Sequence, residues 1–147
     1  MPQSRLTSLR FTTEPGYRVT VQIPEQSAEK IVTEVLTVDA LKYGDYDSVA
    51  FKTALGTQQF RSLGSGRNAP TSAIVTVPCV EVSFFISDTK DTVKRIVEAI
   101  YAAHPYEEPV IFVETCLRTL HVRGLDEDNP NKFWNSPPSD WVPEEHQ

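Results

Sequence analysis

The sequence predicts an α+β fold. It is a ferredoxin-like (βαβ-βαβ) sandwich, an antiparallel sheet with two helices on one face, and three observations point to it. Two stretches, Ala28/Ile31/Val32/Val35/Leu36 and Val93/Ile96/Val97/Ile100/Tyr101, carry apolar residues at the spacing of a helix with one buried stripe. An alternating segment precedes each, "YRVTVQIP" and "VEVSFFIS", with the period of a half-buried strand. A single offset of 65 positions then overlays the halves: Ala28 on Val93, Ile31 on Ile96, Val35 on Ile100, Val19 on Phe84 and Val21 on Ile86. Two β-α-β units in series give such a sandwich.

Taken in order, residues 1–15 show no periodicity and are expected to form a flexible N-terminal arm. Tyr17, Val19, Val21 and Ile23 line one face of the first strand. Pro24 stops it and suits the first turn of the helix that follows. "KYGDYD" is a turn cluster, "SVAFKTAL" and "TQQFRSL" read as short strands broken at Gly56, and "GSGRNAPTSA" is a flexible loop. In the second half Asp88 is the expected N-cap, with Asp91 adding a favourable charge near the helix start. "HPYEEP" ends that helix and "VIFVETC" is the next strand. From Leu117 the regularity fades, with "LRTLHVRGL" at most one more short strand. Pro130, Pro137, Pro138 and Pro143 then exclude regular elements. The aromatics Phe133, Trp134 and Trp141 suggest a segment lying on a surface. The expected organisation is therefore an arm (1–15), a folded domain (16–116) and a Pro/Trp-containing C-terminal extension (117–147) that packs on the core or on a neighbouring subunit.

Among 147 residues, 39% are hydrophobic and 23% charged, a globular composition with formal charge −6. That balance excludes a basic nucleic-acid footprint and disfavours anionic membrane surfaces. No apolar run approaches the roughly 20 residues of a membrane span. "MPQSRLTSLRF" lacks the apolar core of a secretory signal, so an intracellular, cytoplasmic setting is expected, with only a faint organellar look. Cys79 and Cys116 sit in no metal-ligand spacing and read as reduced strand residues.

The densest chemistry is "HPYEEPV". His104 precedes a proline at a helix end, so it reads either as a helix stop whose ring binds free carbonyls or as a ligand or base. The first reading is favoured. Glu107 and Glu108 point to opposite faces if they start a strand, which makes them poor acid/base partners. One of them is free to pair with Arg61. Asp45, Tyr46 and Asp47 follow the first helix as Pro105–Glu108 follow the second, and the two turns are expected at the same end of the sheet. The loop from Gly64 to Arg67 lacks a phosphate-loop pattern.

Two stretches carry a resemblance. "KYGDYDSVAFKTALGTQQFRSLGSGRNAP" resembles the GDYD…F.T.GTG.FRPL.G..P stretch of the Nif-three-like proteins, in the domain inserted in many longer members. "YAAHPYEEPVIFV" resembles the AAHPYEEPAYDV stretch that closes it. The resemblance spans about 16–116 and implies a PII/CutA-like fold, with trimers joined edge to edge. Gln58, Ser62 and Phe112 depart from the pattern. In longer relatives the dinuclear metal centre lies in flanking halves, so their hydrolase labels do not transfer. The expectation is a small oligomeric binding or regulatory module without cofactor or catalysis of its own. It would take a small molecule or protein partner near His104, Tyr106, Glu107, Glu108, Asp45, Tyr46, Asp47 and Arg61. The alternative is a CutA-like divalent-metal protein using His104 with Glu107 or Glu108. A metal-dependent hydrolase is the least favoured class.

Overall fold

The computed structural model describes residues 5–87, 89–134 and 144–146. Its elements run β1 (Phe11–Ile23), α1 (Glu25–Leu36), β2 (Phe51–Lys52), β3 (Gly56–Phe60), β4 (Val75–Ile86), α2 (Lys90–Ala103) and β5 (Ile111–His121). The sheet is antiparallel, in the order β2-β4-β1-β5, with β3 also paired to β4. β2 and β3 follow one another along β4, where residues 53–55 oppose residues 80 and 81 between the Lys52–Val82 and Gly56–Cys79 pairs. That extra residue is a β-bulge, and it breaks one edge strand into two.

The core lies between the sheet and both helices. β1 contributes Val19, Val21 and Ile23, and β4 contributes Val80, Val82, Phe84 and Ile86. Against them pack Ala28, Ile31 and Val35 of α1 and Val93, Ile96 and Ile100 of α2, the stripes the periodicity predicts. Leu41 plugs the core from the α1–β2 connection in a left-handed conformation (φ 52°), its N–H held by Asp39 Oδ1 at 2.8 Å. Tyr101, expected on the α2 stripe, is 54% exposed; Thr92 is buried instead, at the other end of the same helix.

Several boundaries differ from expectation. β1 starts at Phe11, not near Tyr17, and its first residues pair with Leu117–His121, so the ladder runs past both expected limits at 16 and 116. Alternation weak enough to miss locally is sustained here by pairing between strands distant in sequence. β4 likewise starts at Val75 and contains Pro78. β1 ends opposite Val80, so β4 at Pro78 has a partner on one side only and a missing N–H is tolerated. The expected N-cap Asp88 and the residues Pro137, Pro138, Trp141 and Pro143 lie outside the described residues. Trp134 is 77% exposed.

After β5 the chain is tied back. Asp126 pairs with Arg10 (3.4 Å) and Lys132 (3.3 Å), and Glu127 accepts from the Gly124 N–H at 2.8 Å and faces His121 Nε2 at 3.3 Å. The Gly124 N–H is the main cause that holds the Glu127 carboxyl down at about 2.

Candidate functional site

His104 caps α2 with φ −73° and ψ 137°, the extended conformation required before Pro105. Its N–H closes on Ile100 O at 2.8 Å. The Tyr106 N–H donates to Nδ1 at 3.0 Å, which fixes the tautomer: Nε2 carries the hydrogen and donates to Gln22 O at 2.7 Å. The ring, 8% exposed, therefore rivets the end of α2 to the end of β1. It is a helix-stop histidine with both nitrogens engaged.

Pro105–Glu108 form bends before β5, so Glu107 and Glu108 are not yet in a strand and do not diverge by strand alternation. Facing them is the loop after β3. Between the two lies a cleft of about 610 Å³ lined by Arg61, Arg67, Tyr106, Glu107 and Glu108. The Arg67 N–H donates to Glu107 Oε2 at 3.1 Å. Gly66 lies close to that carboxylate, and a Cβ there would sit 2.8 Å from Oε2, so a side chain at 66 would push the Glu107 carboxylate aside. Among the described residues no ion pair joins Arg61 to either glutamate. Tyr106 packs its ring against His104 at 4.9 Å, and burial, with a lesser contribution from Cys79, pushes its phenol up.

Asp45, Tyr46 and Asp47 are elsewhere, which corrects the expected convergence. Gly44 (φ 59°) turns the chain so that Tyr43 and Tyr46 exchange backbone hydrogen bonds. Asp45 faces Arg123 at 3.6 Å, and Asp47 accepts from the Ser48 hydroxyl at 3.0 Å. The cause is direction. β1 and β4 are antiparallel and each helix returns along its own strand, so α1 and α2 end at opposite ends of the sheet.

At the Asp45 end is a second cleft, of about 590 Å³, on the sheet face away from the helices. Its wall is built on Arg118, whose guanidinium lies between the Tyr43 ring (4.7 Å to the centroid) and the Phe85 ring (4.2 Å). Arg118 Nε donates to Glu14 Oε1 and its Nη1 to Lys42 O, each at 2.6 Å. The Phe85 ring lies over Gly16, where a Cβ would meet Phe85 Cε1 at 2.8 Å and collide with Ile86 O. Sequence reading missed this cluster. The signal available was a glycine inside a strand, a mark of close approach.

The residues do not fit the divalent-metal alternative. His104 Nδ1 has its lone pair on the Tyr106 N–H and Nε2 is a donor, so neither nitrogen is free to ligate beside Glu107 or Glu108. Among the described residues no group of three His, Cys, Asp or Glu side chains is placed to hold a metal ion. Nor is any helix of these residues long and apolar enough to cross a membrane.

No family model matches the chain, and no curated protein matches its sequence. Solved structures do match. A Bacillus cereus protein related to NIF3 superposes with TM-score 0.59 at 24% identity, over 71% of this chain and 26% of that one. CutA1 from Ehrlichia chaffeensis, a divalent ion tolerance protein, gives 0.50 at 17% identity over 69% and 80%. CutA from Synechococcus elongatus gives 0.50 at 16% over 78% and 85%. The fold is PII/CutA-like. This chain spans about a quarter of the NIF3-related protein and most of each CutA chain, so its likeness to the former is to one segment.

Proposed function

We propose that this chain is a small homo-oligomeric binding or regulatory module of the Nif-three-like/PII-like type, intracellular and without catalysis of its own. It takes a ligand or partner in the cleft between the loop after β3 and the Pro105–Glu108 turn. The observation that carries the reading is the way that cleft is closed. Two arginines, two glutamates and a phenol meet there, and the loop bearing Arg61 and Arg67 is fastened across it by the Arg67–Glu107 hydrogen bond. One exposed hydrogen bond contributes about 1 kcal/mol, little enough for an occupant to displace. Catalysis is disfavoured because the His104 imidazole has both nitrogens committed to backbone groups. A trimer joined edge to edge would cover the outer edge of β5 and the exposed Phe112 (50%).

A thermal-shift screen of nucleotides and small metabolites on the whole chain, repeated with Arg61→Gln and Tyr106→Ala, tests the site. A hit that both substitutions abolish supports it. A screen without hits moves the reading to protein docking, and a hit indifferent to both variants overturns the cleft. Mass in solution tests the assembly, and a monomer at micromolar concentration would refute it.

A further inference from the structure

The second cleft, at the Arg118 end, has a composition that departs from the rest of the molecule. The chain carries a formal charge of −6, yet the residues lining this cleft include Arg18, Lys42 and Arg118 and no aspartate or glutamate. The three cations are not equivalent. Arg118 is neutralised by Glu14 and pinned by Lys42 O and two rings, so it is part of the wall. Arg18 and Lys42 make no ion pair among the described residues. Arg18 stands opposite Phe85 on β4 and Glu114 on β5, without reaching Glu114 within 4 Å. The apolar lining combines the rings of Tyr43, Phe51 and Phe85 with Val49 and Leu117, among others. A cleft of about 590 Å³ is within the usual size for a small-molecule site, roughly 300–1,000 Å³.

We infer that this cleft is a second ligand site, for a small organic acid with a flat apolar body. The ring system would lie against Phe85 and Phe51, and the carboxylate would take Arg18 and Lys42. A monoanion matches two singly charged side chains, and an aromatic body matches a floor of rings that prefers offset or edge contact. Multiply charged phosphates fit less well, because no glycine-rich run of N–H groups lines the site.

Cys116 lines the same cleft and is half-buried, whereas Cys79 is 6% exposed, so the chain carries its own reporter. The experiment titrates the whole chain with 1-naphthoate by calorimetry and follows alkylation of Cys116 by iodoacetamide at peptide level. Expected are saturable binding at one per chain and at least fivefold slower alkylation of Cys116. Arg18→Gln and Lys42→Gln should each weaken binding about tenfold, the worth of a charge-assisted hydrogen bond. Both side chains are solvent-facing, so these variants are expected to fold. Glu107→Gln, in the other cleft, should leave naphthoate binding unchanged, which separates failure here from failure of the site at the opposite end. Unprotected Cys116, equal binding of the neutral 1-naphthalenemethanol, or an Arg18→Gln variant that binds like the parent would each overturn the inference.

Discussion

Replacing His104 by alanine tests the rivet between α2 and β1. The substitution removes the donor to Gln22 O and the acceptor for the Tyr106 N–H, both at a position 8% exposed. A buried polar group left without a partner costs about 1–3 kcal/mol, and the ring's packing on Tyr106 is lost as well. Some water reaches the truncated site, so the expected loss is about 3 kcal/mol. At this chain length that corresponds to a fall in Tm of roughly 10 °C. Urea unfolding followed by circular dichroism measures it. His104→Gln serves as the comparison, since an amide can replace one of the two bonds but cannot span both partners as the ring does; about half the loss is expected. A loss below about 1 kcal/mol for the alanine variant would refute the structural assignment. Retained stability together with lost ligand binding would instead make His104 a ligand.

Gly16→Ala should destabilise by about 2–3 kcal/mol, because the new Cβ meets both the Phe85 ring and the Ile86 carbonyl, and backbone cannot move aside cheaply. Adding Phe85→Ala should recover only part of that; full recovery would show that the carbonyl does not matter. Glu107→Ala should change global stability by less than about 1 kcal/mol, while amide exchange at Arg67 quickens about fivefold; unchanged exchange would mean that the Arg67–Glu107 bond does not fasten the loop. The Glu127 carboxyl, folded near 2 against an ordinary 4.5, adds stability that is complete above 4.5 and fades as pH falls toward 2. A carboxyl titration by NMR should therefore show its midpoint near 2, with loss of Gly124 amide protection in the same window, and a midpoint near 4.5 would dismiss the turn.

The helices were legible because their stripes are local: Ile31 and Val35, or Ile96 and Ile100, declare a buried face from spacing alone. The outer halves of β1 and β5 were not, since Phe11–Pro15 and Leu117–His121 form strand only by pairing with one another across the chain. His104 was legible as a helix stop from its place before Pro105, but its second bond was hidden, because Gln22 lies far away in sequence. The misplaced convergence of the two turns has a geometric origin. A common frame between two β-α-β halves implies a two-fold relation, and a two-fold axis through an antiparallel pair sends equivalent turns to opposite ends. The repeat that revealed the fold therefore already forbade Asp45–Asp47 and His104–Glu108 from meeting within one chain.

That opposition gives the chain a head and a tail. One region presents a loop fastened by its own glutamate, and the other presents Arg18 and Lys42 with no acid in the cleft lining; β1 passes both, with Arg18 in the second and Gln22, bonded to His104, beside the first. Occupants of the two ends would differ in chemistry and would not touch. The two proposed sites would differ in charge, one mixing two arginines with two glutamates and the other lined by Arg18, Lys42 and Arg118 with no acid.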